Sequence, residues 1–267
     1  MKTVARSLLE QATKHLVFRR RLPQLFDRAP IIVSPSAGGL KYFKPIAKAD
    51  PVLLRNAKTL VRPGDVIWDI GANVGLFTFA AAARAGVDGA VVAFEPDTWL
   101  VQLLHKSQAL QSPQSAPVTI VPAAVAQSVA LRTFHIAKRS RAFNSLSNFG
   151  RAQADGISAR QIVVPTFNLD WLLESQPPPN LIKCDVEGAE AEVFIGQSRM
   201  LNDIRPTILC EVGPEHSPII SRLLQDHGYL LFDGATPFAP ENPVPDARWC
   251  TVAIPSERRE DLASFST

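Results

Sequence analysis

From about residue 66 onward, apolar residues come in short, almost unbroken runs: Val66–Ile70, Ala90–Phe94, Val118–Val121, Leu181–Cys184 and Thr207–Cys210. Each is too short for a helix and suits a strand buried on both faces. The stretches Val74–Ala85, Thr98–Leu110, Leu169–Glu174, Ala189–Ile195 and Pro218–His227 between and after them read as helices. Such alternation predicts right-handed crossovers and a parallel sheet with helices on both faces. The pattern changes once in the middle. Val129–Ala137 and Gln161–Thr166 have strand character and flank a polar stretch, Lys138–Arg160, rich in Arg, Ser, Asn and Gly. That arrangement predicts a β excursion carrying a loop over the ligand edge of the sheet. Tyr229–Phe232 and Trp249–Ile254 read as the final strands, separated by a loop containing Pro237, Pro240, Pro243 and Pro245.

The first sixty residues read differently. Leu8, Leu9, Ala12, His15, Leu16 and Phe18 recur at roughly helical spacing, and Arg19, Arg20 and Arg21 follow where cations favour a helix dipole. Pro30, Pro35 and Pro45 then interrupt. The division expected is a helical, basic N-terminal extension over residues 1–46 and one α/β domain over 47–267, with a β/loop insertion at about 129–166.

Composition adds limits. With 46% apolar and 20% charged residues the chain is an ordinary globular one, and 28 Lys and Arg against 25 Asp and Glu is too even a balance to imply nucleic acid. Only residues 1–28 are clearly basic, with seven cations against Glu10 and Asp27. This start reads as a helix packed on the domain edge, with weak membrane-surface contact as the rival. No apolar run reaches transmembrane or secretory-signal length, which predicts a soluble, cytoplasmic protein. Cys184, Cys210 and Cys250 are widely spaced within apolar strands and read as buried, reduced thiols.

The chemistry starts at the turn after the first parallel strand, Asp69-Ile70-Gly71-Ala72-Asn73-Val74-Gly75. Gly71 allows a sharp bend and close approach of a ligand to the backbone, and Gly75 allows the next helix to pack near the strand. Ligands of open parallel sheets sit at the carboxyl ends of strands, where the helix opening near Asn73 also points its free N–H groups. A carboxylate at Asp69 would repel a pyrophosphate and welcome a cationic amino acid or sulfonium, so the turn suits S-adenosylmethionine better than NAD. The next strand ends in Glu95-Pro96-Asp97, where an acid holds a ribose diol. The plainer alternatives are a helix cap for Asp69 and a solvated strand end for Glu95.

A third block, Lys183-Cys184-Asp185-Val186-Glu187-Gly188-Ala189-Glu190, delivers two more acids to the same edge. With the Asp69–Gly75 turn, the acid-Pro at Glu95, Leu169-Asp170 and Glu211, it resembles the FkbM family of S-adenosylmethionine-dependent methyltransferases from about Ala47 to Val212. The resemblance implies a Rossmann-like class I methyltransferase fold, a seven-stranded, mostly parallel sheet whose last strand is antiparallel, and O-methylation. It implies that Asp69, Gly71, Asn73 and Gly75, with Ala72 in the same turn, surround the methionine moiety, and that Glu95, followed by Pro96, holds the ribose. Ala123, Ala124 and Val125 would border the adenine, Asp185 would close the pocket near the methyl group, and Asn144 and Ser145 would lie over the cofactor or the acceptor. Cys184 stands where the family usually has an aliphatic residue.

A hydroxyl acceptor must lose a proton, and Asp185, Glu187, Glu211 and His216 are the candidate bases. The same four side chains are the candidate ligands of a Mg or Mn ion, which the spacing does not favour. Glu190 reads as a first-turn residue facing the helix dipole and Lys183 as half of a structural ion pair. The reaction expected is methylation of a hydroxyl on a sugar, glycolipid or secondary metabolite. The rivals are an NAD(P)-dependent oxidoreductase, which would want a third glycine in the turn, and a non-catalytic nucleotide-binding module. The polar loop 138–160 and the N-terminal extension are expected to form the lid and substrate wall.

Overall fold

A computed structural model describes Thr13 and residues 16–137, 141, 144–146, 158–237 and 241–265. In chain order the strands are β1 (Phe18–Arg21), β2 (Pro30–Val33), β3 (Val66–Ile70), β4 (Ala90–Phe94), β5 (Val118–Val121) and β6 (Ala124–Val125). They continue with β7 (Ala130–Ala137), β8 (Ser145–Leu146), β9 (Ser158–Phe167), β10 (Leu181–Cys184), β11 (Thr207–Glu211), β12 (Tyr229–Asp233) and β13 (Cys250–Pro255).

Seven of these form one sheet in the order β12-β13-β11-β10-β3-β4-β5. The five apolar runs are its parallel strands, and β13 runs antiparallel to both β11 and β12. This is the seven-stranded, mostly parallel Rossmann-like sheet with a reversed strand that the resemblance implies. The runs are unbroken because both faces are covered: Ile67, Val91 and Ala93 point into one core with Phe79 and Leu103, while Trp68, Val92 and Phe94 point into another with Val193 and Leu224.

Local signals set the helix ends. Asp50 accepts from the N–H of Leu53 at 2.9 Å and Pro51 starts the helix Pro51–Leu60. Asp97 accepts from the N–H of Trp99 at 3.0 Å and opens Thr98–Gln108. The helix Leu76–Ala85 stops at Gly86, whose φ is 68°.

Over residues 18–46 the structure corrects the expected helical extension, while Thr13, described within the expected helix, is helical. β1 and β2 pair antiparallel as a hairpin, and only short helical turns follow at Pro35–Gly38, Gly39–Phe43 and Ile46–Lys48. The period is two rather than 3.6: Ile31 and Val33 are buried while Arg19 and Arg21 face solvent. The turn is made by Asp27 and Arg28, both at φ 53°. The proposed helical positions Leu8, Leu9, Ala12 and His15 lie outside the described residues. The hairpin is built onto the main domain, since Phe26, Ile31, Val33, Tyr42 and Ile46 share one core with Ile67 and Phe79. A second, four-stranded sheet in the order β6-β9-β7-β8 stands beside the carboxyl ends of β4 and β5, and most of the polar stretch 138–160 lies outside the described residues.

Candidate functional site

The chain runs outward from β3 to β5, then crosses back to begin β10 on the other side of β3. Crevices form where strand order reverses in this way. A cleft of about 580 Å³, open to solvent, lies there, over the carboxyl ends of β3, β4 and β10. Its walls are Gly71 and Asn73 after β3, Glu95 and Pro96 after β4, Ala123–Val125 at β6, and Asp185–Glu187 after β10. The second sheet closes it with Phe134, Asn144, Leu146 and Arg141.

Glu95 is 4% exposed and held by two backbone donors. Its Oε2 accepts from the N–H of Asn73 at 2.8 Å and its Oε1 from that of Asp97 at 2.9 Å. Burial pushes its carboxyl up to about 8, with Asp97 adding to the rise and the two N–H groups and Lys183 opposing it. Asp97 is itself buried and accepts from Asn144 Nδ2 at 2.9 Å and from Arg141, whose guanidinium lies 4.7 Å over the Trp99 ring. Asn144 Oδ1 takes the N–H of Ala137 at 2.8 Å, so this amide ties β7 to the acid after β4.

Asp69 does not reach the cleft. It is fully buried, accepts from Thr78 Oγ1 at 2.5 Å and pairs with Lys183 Nζ at 3.3 Å. Lys183 also donates to the Gly71 carbonyl at 2.8 Å and stands 3.6 Å from Asp185. Burial alone would lower the pKa of this ammonium, but Asp69, Asp185 and Glu211 outweigh it and hold it above its ordinary value. The pair braces the turn after β3, as expected of Lys183.

The glycines also act between parts of the protein. At Gly71, φ is 76° and an added Cβ would stand 1.9 Å from the Asp185 carbonyl oxygen; the close neighbour is the β10 loop, not a ligand. At Gly75, φ is 86° and a Cβ would meet Phe79 at 2.5 Å and Leu104 at 2.8 Å, where two helices pack.

Among the residues proposed for the cofactor, Gly71, Asn73, Glu95, Pro96, Ala124, Asn144 and Asp185 line the cleft. Asp69, Ala72, Gly75 and Ser145 do not. Ala72 is in the core, and Ser145 pairs with His135 while its neighbours Asn144 and Leu146 face the cleft, because strand side chains alternate. Among the candidate bases, Asp185 and Glu187 line it. Glu211 lines a second cavity on the far side of β10, and His216 lines neither, standing before the helix Ser217–Asp226 with its Nε2 3.9 Å from Glu215. Glu190 turns back onto the N–H of Gly188 at 2.9 Å, a cap. Phe94, Phe134, Arg141 and Leu146 escaped the sequence reading. Arg141 alone had a signal, as a cation inside the polar stretch over the edge.

The cleft suits S-adenosylmethionine on one further ground: Asn73 Oδ1, in its wall, is buried and accepts no hydrogen bond from a described residue. A donor such as the ammonium of an amino acid would satisfy it. Among the described residues no three His, Cys, Asp or Glu side chains group as a metal site, and no helix is long and apolar enough to cross a membrane.

Residues 69–231 match the methyltransferase FkbM domain. A curated relative, the hexuronic acid methyltransferase AglP of Haloferax volcanii, is 28% identical over 147 residues, 54% of this chain and 55% of AglP. The chain therefore spans about half the length of the curated relative it matches. Among solved structures, precorrin-6y C5,15-methyltransferase of Geobacter metallireducens aligns with a TM-score of 0.46 at 15% identity, covering 78% of this chain and 89% of that one. Methyltransferase FkbM of Methylobacillus flagellatus aligns with a TM-score of 0.45 at 12% identity, covering 79% of this chain and 55% of that one.

Proposed function

Because this chain belongs to the FkbM methyltransferase family, we propose that it moves a methyl group from S-adenosylmethionine to a hydroxyl oxygen of a small-molecule or carbohydrate acceptor. The observation that carries the reading is Glu95, a buried acid at the end of β4, aimed by two backbone N–H groups into the cleft beside the switch point. Its oxygens keep lone pairs for a ribose diol. Asn73 would take the ammonium of the methionine moiety, Pro96 and Ala123–Val125 would border the base, and Asp185 would stand at the reacting end. Bound S-adenosylmethionine supplies an electrophilic methyl group on a sulfonium sulfur.

Methyl transfer is an in-line displacement, so most of the protein's task is positioning. Lys183 anchors the Gly71 carbonyl and holds Asp185 at the cleft wall, while Arg141 and Asn144 hold the second sheet against Asp97. Together they keep the walls of the cleft in place before any ligand arrives.

Calorimetric titration with S-adenosylhomocysteine and with NAD tests this reading. Charge-assisted hydrogen bonds contribute about 1.5–3 kcal/mol, so Glu95→Gln is expected to weaken S-adenosylhomocysteine by roughly ten- to a hundredfold. NAD binding in preference to S-adenosylhomocysteine, or equal affinity of both proteins, would refute it.

A further inference from the structure

We infer that the cavity on the far side of β10 is the acceptor site, that it takes a neutral, hydroxyl-rich ring of the pyranoside kind rather than an anionic one, and that Glu211 receives the hydroxyl proton. This rests on the methyltransferase reading above. The cavity, again about 580 Å³, is bounded by Glu211, Lys183, Asp50, Trp249, Leu209 and Leu53 among others.

Position comes from register. Cys184 and Cys210 pair across β10 and β11, so Asp185 and Glu211 leave adjacent strands side by side. Adjacent strands are about 4.8 Å apart. Asp185 faces the cofactor cleft and Glu211 the second cavity, which sets the two spaces on either side of one strand end.

Occupant chemistry comes from what the walls leave free. No described residue donates a hydrogen bond to the Glu211 carboxylate, and Asp50 uses only Oδ1 to cap its helix. Two carboxylates thus await donors. Lys183, the cation among the lining residues, is committed to Gly71, Asp69 and Asp185, and Lys41, whose charge reaches Glu211, does not line the cavity, so a carboxylate or phosphate on the acceptor would face the Glu211 and Asp50 carboxylates directly. Trp249 is 56% exposed beside Leu209 and Leu53, and its carbonyl is anchored by the N–H of Val212 at 2.9 Å. A solvent-facing indole is a platform for the C–H face of a sugar ring.

Glu211 is also poised to take a proton. Burial raises it first, Asp185 and Asp50 add to the rise, and Lys183 and Lys41 oppose it, leaving it at about 7. Cys250 lines the same cavity as a thiol, pushed up to about 12 chiefly by burial. In the transfer, the acceptor O–H proton passes to Glu211 as the oxygen bonds to the methyl carbon. The carbon–sulfur pair returns to sulfur, giving a methyl ether and S-adenosylhomocysteine, and Glu211 then releases its proton to water.

The test is saturation-transfer NMR on the whole chain saturated with S-adenosylhomocysteine. The probes are the methyl glycosides of glucose, galactose, mannose and rhamnose, with methyl glucuronide as the anionic counterpart. At least one neutral glycoside is expected to show transfer to its C–H protons, reduced tenfold or more in Trp249→Ala and severalfold in Glu211→Gln, and the glucuronide none. Thermal melts of both variants check folding, and Trp249→Phe, which keeps a ring, should restore binding. No signal from any neutral glycoside, an equal signal from the glucuronide, or unchanged binding in a folded Trp249→Ala protein each overturns the proposal. Calorimetry with S-adenosylhomocysteine on the same samples separates the two readings. Failure of the wild-type protein to bind it sinks the proposed function, whereas normal binding with no glycoside signal sinks only the acceptor site.

Discussion

On the β4 side of the sheet edge Glu95 accepts from the N–H groups of Asn73 and Asp97, and Asp97 accepts from Trp99, Asn144 and Arg141, whereas on the β11 side no described residue donates to Glu211. Both acids are raised first by burial, yet only one has been given partners by the fold. The difference separates a half whose acids the fold already holds with its own donors from a half whose acid receives none from the described residues. Preorganised acceptors lower the cost of binding, and unpaired ones make that half selective for whatever brings donors.

The strongest way to break the comparison is to collapse the wall between the halves. Gly71→Val puts a branched Cβ 1.9 Å from the Asp185 carbonyl at a φ of 76°, so the turn and the β10 loop must both move. Strain and displacement of this kind cost several kcal/mol. The expected result is a lowered Tm and a fall of roughly 100-fold or more in S-adenosylhomocysteine affinity. A Gly71→Val protein with wild-type melting and wild-type affinity would show that the two halves are not joined through this contact.

A second measurement sharpens the comparison through pH. Glu95 titrates near 8 when folded against 4.5 ordinarily, so the folded state holds a proton that the unfolded chain gives up between those values. Its contribution to stability is therefore full below about 4.5 and is lost as pH rises through about 8. Thermal melts from pH 5 to 9 are expected to show Tm declining in the wild type, with a shallower decline in Glu95→Gln. S-adenosylhomocysteine affinity is expected to move the other way, rising with pH as the carboxylate forms, and to be flat in Glu95→Gln. The same pH slope in both proteins would remove Glu95 from this role.

The smallest effect belongs to Arg141. It pairs with Asp97 from a partly exposed position, and Asn144 and Trp99 remain to satisfy that acid when it is gone. Partly exposed pairs contribute about 0.5–1 kcal/mol, so Arg141→Ala is expected to weaken S-adenosylhomocysteine about two- to fivefold. A much larger loss, read by the same calorimetry, would mean that Arg141 touches the ligand directly.

What could be read beforehand follows from how local each signal is. The strands β3, β4, β10 and β11 announce themselves because a strand covered on both faces must be apolar throughout, and Gly71 and Gly75 are legible because their backbone conformations disfavour other residues. Glu95 and Asp185 were legible as acids following such strands, which puts them at the ligand edge of any parallel sheet. Asp69 was legible as an acid but not as a buried partner of Lys183, because register between β3 and β10 brings the two together across 114 residues. The N-terminal hairpin misled for a related reason: Phe18 fits a helical period with Leu8 and Leu16, and only pairing with β2 shows the alternation of β1.

By itself, then, the sequence determined the strand-helix alternation, the two glycine turns, the acids at the strand ends and the family block around Asp185, all of which depend on a few neighbouring residues. The tertiary structure alone decided which acids line the cleft and which are buried away from it, that Arg141 and Asn144 bridge two sheets, and that Glu211 faces a second cavity with Trp249. Those assignments depend on strand order and register, which arise from packing between segments far apart in the chain and leave no mark on any short window of it.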